Sequence, residues 1–274
     1  MCITLVGPAK IPSMGFGTFQ LAQDTVADMV AAALSEGFRH IDTAQAYDNE
    51  TQVGEGLRRA DIRRDEVFLT TKILPEHFAP KAFIAAADAS LKRLGTDYVD
   101  LLLLHWPSKE VPISDTIGAL NDLIAAGKVR HGGVSNFTID MVDQAQTALN
   151  TPLAANQIEL HPLIDQTRMI AHLASKGIPV EAYSPLAQGK VMENSTLREI
   201  AAAHDASPAQ IALAWILTRP MSIALPRTSN KNRLAGNLRA AEIVLSAGEV
   251  SRIDALGAPD GRMVNPETLA PLWD

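Results

Sequence analysis

Four residues of this sequence could share one proton-transfer chemistry: Asp42, Tyr47, Lys72 and His105. His105 follows Leu101-Leu102-Leu103-Leu104 directly, so an imidazole stands where an apolar run stops. Lys72 follows Leu69-Thr70-Thr71 in the same way, and Asp42 closes Phe38-Arg39-His40-Ile41. Each alone has an ordinary explanation: a histidine satisfied by a carbonyl, a lysine snorkelling to solvent, an aspartate capping a turn. Together they make a system. Asp42 beside Lys72 would hold the ammonium charged, and Lys72 would stabilise a nearby phenolate, lowering the tyrosine pKa from ~10 toward neutrality. Tyr47 lies just beyond Asp42, close enough to point back toward it. A tyrosine so placed is a general acid for a carbonyl oxygen whose carbon receives hydride, and His105 would orient that carbonyl by hydrogen bonding.

Something must bring these residues to one place. Short apolar, β-branched runs at 14–17, 38–42, 67–71, 99–104, 130–134, 154–158, 179–183 and 222–225 read as strands buried on both faces. Helical spacing covers 25–35, and helices are predicted over 80–94, 114–126 and 168–175, from Ser207-Pro208 onward, and over 230–238. A hairpin over 3–11, turning at Gly7-Pro8, is predicted to plug the bottom. The alternation predicts an α/β protein: a (β/α)8 TIM barrel with an N-terminal β-hairpin and a short C-terminal tail, one domain over 1–274. The competing open sheet lacks its dinucleotide fingerprint, since Gly15-Phe16-Gly17-Thr18-Phe19-Gln20 ends in Gln. In a barrel, the C-terminal strand ends form the active face. Strands two to eight deliver Asp42, Lys72, His105, Ser135-Asn136, Gln157, Tyr183 and Arg227 there.

Bulk properties narrow the partners. Twenty-four basic against 31 acidic residues give a net charge of −7, which argues against nucleic acid and anionic membranes. No apolar run approaches the ~18 residues of a membrane span. The N-terminus reads as no signal peptide, and Cys2 is the sole cysteine, so a reducing, cytoplasmic setting is expected. One stretch departs from the acidic balance: 226–241 carries Arg227, Lys231, Arg233 and Arg239 with no acidic residue.

Gly37-Phe38-Arg39-His40-Ile41-Asp42-Thr43-Ala44-Gln45-Ala46-Tyr47, the leucine run with His105-Trp106-Pro107, Gly133-Val134-Ser135-Asn136-Phe137 and Asn156-Gln157-Ile158-Glu159 occur in this order. With them the chain resembles the aldo-keto reductase family over nearly its whole length. The resemblance implies a catalytic tetrad of Asp42, Tyr47, Lys72 and His105. It implies NADPH (NADP+) as cofactor: Ser135, Asn136 and Gln157 on the nicotinamide carboxamide, Tyr183 stacked on the ring, and Ser184, Leu186 and Gln188 along the pyrophosphate. Thr18 would touch the cofactor from the first strand. Arg227 and Thr228 with Arg233 and Asn237 would grip the adenosine 2′-phosphate and adenine, a task suited to the arginine fork.

Three departures from the family pattern stand out. Arg227 replaces a commoner Lys, Gly236 stands where many members carry an acidic residue, and Leu74 stands where many carry Trp. Leu74 makes one substrate wall aliphatic, leaving Phe19, Trp106 and Trp273 as aromatic candidates beside Tyr47 and His105. The short tail and the short loop after His105 resemble the bacterial 2,5-diketo-gluconate reductase branch, form B, which also reduces methylglyoxal. The expected activity is NADPH-dependent reduction of small aldehydes and ketones by a monomer. Alternatives are a cofactor-binding regulatory protein with little turnover and a Schiff-base lyase using Lys72, which would need that lysine neutral. The seven histidines include no i,i+4 pair, so no metal site is expected.

Overall fold

The structure is a computed structural model that describes residues 3–274; Cys2 lies outside the described residues. It opens with an antiparallel hairpin, β1 (Leu5–Val6) and β2 (Ile11–Pro12), turned through Gly7 at φ 66°. Eight parallel strands follow: β3 (Phe16–Gly17), β4 (His40–Asp42), β5 (Phe68–Ile73), β6 (Val99–Leu104), β7 (Val129–Ser135), β8 (Asn156–Glu159), β9 (Val180–Tyr183) and β10 (Ser222–Ala224). Each pairs with the next in chain order. The sheet curls so that its edges meet: Met14 forms a parallel bridge with Ala224, the Gly15 amide donates to the Ala224 carbonyl at 2.9 Å, and the Gly17 amide donates to the Pro226 carbonyl at 3.0 Å.

Ten α-helices accompany the strands among the described residues: α1 (Gln23–Glu36), α2 (Glu50–Arg59), α3 (Pro80–Leu94), α4 (Ile113–Ala125), α5 (Ile139–Ala148), α6 (Thr167–Lys176), α7 (Ser195–Ala203), α8 (Pro208–Leu217), α9 (Leu234–Arg239) and α10 (Ala247–Asp254). None is long and apolar enough to cross a membrane. Local chemistry sets their ends. Proline opens α3 and α8, Ser207 and Gln210 form a reciprocal capping box, and left-handed Gly37, Gly95 and Gly177 stop α1, α3 and α6.

The sequence expectations need correction in places. Helices α2, α5, α7 and α10 were not expected, and the 230–238 helix is instead a 3-10 turn (Lys231–Arg233) followed by α9. The first strand is shorter than expected, while β5 and β7 run on through Ile73 and Ser135. Helix α2 packs through glycines as well as through Val53 and Leu57. A Cβ on Gly54 would lie 2.2 Å from the Leu94 carbonyl oxygen, and one on Gly56 would lie 2.6 Å from Val30 Cβ. The helix is thereby drawn against α1 and α3, and its first residue, Glu50, is buried and accepts from the Thr71 hydroxyl of β5 at 2.6 Å.

Inside the strands the filling is layered. Toward their N-terminal ends an apolar cluster that includes Phe68, Leu101, Ala155 and Ile223 takes in Val6 and Ile11 of the hairpin, which covers this end as expected. Above it lies a polar layer in which His40 shares a hydrogen-bond contact with Thr70 (3.0 Å) and Gln157 donates to Glu181 (2.8 Å), all four side chains buried. Burial pushes the His40 pKa down to about 4 and that of Glu181 up to about 8, so both rest neutral near pH 7.

Two predictions follow from this packing. Gly54→Ala should destabilise the fold by about 1–3 kcal/mol through overpacking, whereas Gly118→Ala, with open space around an exposed helix position, should stabilise it by roughly 0.5–1 kcal/mol in thermal melts. The second concerns pH. His40, with its pKa lowered, contributes stability that is complete above pH 6.5 and lost as pH falls toward 4. Glu181, with its pKa raised, contributes most below 4.5 and loses that contribution as pH rises through 8. Urea titrations should therefore show a Glu181-dependent loss of roughly 1 kcal/mol per pH unit from 6.5 to 8, levelling off above that and absent in Glu181→Gln. The same slope in both proteins would mean that Glu181 is not buried as the neutral acid.

Candidate active site

The C-terminal ends of neighbouring strands bring the four proton-transfer residues together. Asp42 ends β4 and Lys72 lies near the end of β5, with Asp42 in register with Thr70. Lys72 is fully buried, and its ammonium donates to Asp42 Oδ1 at 2.6 Å, the Thr43 carbonyl at 2.9 Å and the Tyr47 hydroxyl at 3.2 Å. All three N–H bonds are used. Burial opposes the charge on Lys72, but Asp42 and then Tyr47 outweigh it and raise its pKa, so the group stays an ammonium.

Tyr47 reaches this position on a 3-10 turn (Gln45–Tyr47) ended by left-handed Asp48. Its pKa runs opposite to the sequence expectation. Burial raises it, the attraction of Lys72 lowers it, and burial wins, so Tyr47 rests as the protonated phenol. Its ring packs against Phe19, half exposed at 52%, with centroids 4.9 Å apart, and edge-on to His105 at 5.8 Å. His105 is neutral: burial and then the Lys72 charge push its pKa down to about 3. Its Nδ1 is buried without a partner, and neither ring nitrogen forms a protein hydrogen bond.

A second arc borders this group. Thr18 donates to the Asp42 carbonyl at 3.1 Å, and its own carbonyl is held by Asn49 at 2.9 Å. The Ser135 hydroxyl donates to the Gln157 carbonyl at 2.9 Å. Asn136, left-handed at φ 63°, donates to the His105 carbonyl at 3.0 Å and accepts from the Tyr183 hydroxyl at 2.8 Å. Gln157 donates to Asp42 Oδ2 at 2.9 Å, which joins the arc to the tetrad. Past Tyr183 the backbone turns left-handed at Ser184, Ala187, Gln188 and Gly189, with Leu186 between. Two amides are spent within this turn: Ala187 donates to the Ser184 carbonyl at 2.9 Å and Gly189 to the Leu186 carbonyl at 2.8 Å. No sequence signal announced this conformation, because three of the four residues are not glycine.

Beyond β10, Thr228 and Asn237 are buried while Arg227 and Arg233 are exposed. Arg227 donates to Gln20 Oε1 at 3.4 Å, tying this segment to the exit of β3. Among the described residues, Arg227, Lys231, Arg233 and Arg239 have no carboxylate within 4.0 Å, so the segment presents uncompensated positive charge. These features suit a dinucleotide phosphate: neutral amides near the tetrad, a left-handed loop, then unpaired arginines. Leu74 is half-buried just past β5, and Trp106 is buried with Trp273 at 6.2 Å, edge to face.

Three further residues belong to this end of the molecule and were not foreseen. Glu159 is buried and accepts from the Met263 and Val264 amides at 2.9 and 3.0 Å, pinning the tail. Arg262 lies 3.5 Å over the Trp273 ring. Nothing periodic marks the tail, so these contacts had no sequence signature. Glu181 had one, an acidic residue inside an otherwise apolar strand.

Comparison with known proteins accords with this geometry. The model of the Aldo/keto reductase family matches residues 13–258. Methylglyoxal reductase DkgB of Escherichia coli O157:H7 is 40% identical over 267 residues, covering 96% of this chain and 99% of the relative. Glyoxal reductase of Bacillus subtilis (strain 168) is 35% identical, covering 97% and 96%. A crystal structure provisionally assigned as a 2,5-diketo-D-gluconic acid reductase B superposes with a TM-score of 0.98 at 42% identity, over 100% of this chain and 98% of that one. The chain belongs to the aldo/keto reductase family and is an oxidoreductase acting on carbonyl groups.

Proposed function

We propose that this protein is an NADPH-dependent reductase of small carbonyl compounds, with methylglyoxal-like dicarbonyls as its substrate class, working as a cytoplasmic monomer on a single closed (β/α)8 barrel. The observation that carries the chemistry is the contact of the Tyr47 hydroxyl with the buried ammonium of Lys72 at 3.2 Å. When bound, the cofactor supplies hydride to the carbonyl carbon. Tyr47 gives its proton to the carbonyl oxygen, and Lys72 stabilises the phenolate left behind. Asp42 keeps Lys72 charged throughout. His105, being neutral, offers an Nε2–H that orients the carbonyl and supports the charge building on its oxygen.

Ser135, Asn136 and Gln157 would hold the nicotinamide carboxamide, Tyr183 the ring, and Ser184, Leu186 and Gln188 the pyrophosphate, with Thr18 bordering the same space. Arg227, Thr228, Arg233 and Asn237 would hold the 2′-phosphate and adenine. The four unpaired cations of this segment support NADPH over NADH. Phe19, Leu74, Trp106 and Trp273 would wall the substrate, and the names carried by the enteric and Bacillus relatives support methylglyoxal or glyoxal as substrates. The Schiff-base alternative requires a lone pair on Lys72 Nζ, yet all three of its protons are engaged.

Tyr47→Phe should lower the rate of methylglyoxal reduction by about 10²–10⁴-fold while NADPH still binds, the scale of a lost general acid. Turnover like that of the wild type would remove Tyr47 from its role. Arg227→Ala with Arg233→Ala should raise the Kd for NADPH by at least ~10-fold and leave NADH within about 2-fold, because each arginine–phosphate contact is charge-assisted. Equal losses for both cofactors would place the arginines elsewhere.

A further inference from the structure

Beneath the tetrad lies a carboxyl that the mechanism above does not use. Glu181 stands between Val180 and Ala182 in mid β9, wholly buried and in register with Gln157 of β8. The Gln157 amide nitrogen carries two hydrogens. One is donated to Asp42 Oδ2 at 2.9 Å and the other to Glu181 Oε2 at 2.8 Å. The nitrogen is therefore spent on the interior, and Oε1 has no protein partner. Turning the amide over would set Oε1 against the Asp42 carboxylate and take the N–H from Glu181 Oε2, so the two contacts together favour one orientation.

Charge explains why the second acceptor is tolerated. The groups facing Glu181 are Asp42 and His40 from β4, Lys72 from β5 and Gln157 from β8. The one resident cation, Lys72, is already matched by Asp42 at 2.6 Å, and His40 is neutral with its Nε2 4.0 Å from Glu181 Oε1. A second buried carboxylate would have no counter-charge, so Glu181 sits as the neutral acid. In that form it accepts through its carbonyl oxygen without disturbing the Asp42–Lys72 pair.

We propose that Glu181 is a positioning residue: it holds the Gln157 amide from below, so that Oε1 faces the rim as a fixed acceptor for the carboxamide NH2 of the nicotinamide. This rests on the cofactor reading above and adds to it a residue that touches neither cofactor nor substrate.

The test is NADPH binding followed by quenching of protein fluorescence. Glu181→Met, which keeps the length but offers only a weak thioether acceptor in place of the carboxyl oxygen, should raise the Kd by ~10-fold, the effect of one freed amide. Glu181→Gln, which still offers a carbonyl oxygen, should restore it to within about 2-fold of the wild type. In a Gln157→Leu background, Glu181→Met should add nothing, since both changes remove one interaction. Unchanged affinity in Glu181→Met, no rescue by Gln, or additive losses in the double variant would overturn the proposal. If Glu181→Met does not fold, the wild type still decides. Its Gln157 side-chain NH2, assigned in nitrogen-15 spectra by its disappearance in Gln157→Leu, should exchange at least ~10-fold more slowly than exposed amides, and exchange at their rate would contradict the clamp. Failure of the wild type to bind NADPH would instead sink the cofactor reading, and the positioning role with it.

Discussion

The buried pair of Lys72 and Asp42 is the interaction on which the site depends. An ammonium with no exposed surface costs several kcal/mol to desolvate, and only close, fully bonded partners offset that cost. Asp42 Oδ1, the Thr43 carbonyl and the Tyr47 hydroxyl are those partners, and all three come from β4 or the turn that leaves it. Burying the lysine therefore fixes the conformation of the segment that carries Tyr47. The charge that would stabilise a phenolate also places the phenol.

Around this pair, compensation is single. One cation meets one anion, and the remaining titratable groups nearby are kept neutral by burial: His40 and His105 low, Glu181 high. Neutral side chains can donate and accept without competing for Lys72. The rim differs. There, Arg227 and Arg233 lie exposed without carboxylates, as suits a ligand that brings its own negative charge. Thus the interior is balanced by the chain itself, and the edge is left to be balanced by what binds.

Much of this is legible in the sequence. The leucines before His105 and the β-branched run before Lys72 had to be buried strands, and polar residues at their ends had to share a face. Helix α2 is harder to read, because its short stripe of Val53, Leu57 and Ala60 is interrupted by Glu50, Gly54 and Gly56, which are buried as well. The tail is not legible, since Glu159 holds it through backbone amides. The direction of the Tyr47 pKa shift is not legible in the sequence for a related reason. A sequence shows which charge can approach a phenol but not how much water the fold removes, and here desolvation exceeds the attraction of Lys72.

The central claim is that Tyr47 stands as a protonated acid beside a permanently charged lysine. The chain has three tyrosines, so carbon-13 labelling at tyrosine Cζ gives three resonances, and Tyr47→Phe identifies the one in question. Followed from pH 6 upward, the Tyr47 signal should hold its phenol shift through about pH 10, the ordinary tyrosine value. A transition to phenolate between pH 7 and 9 would contradict the account, because attraction to Lys72 would then outweigh burial.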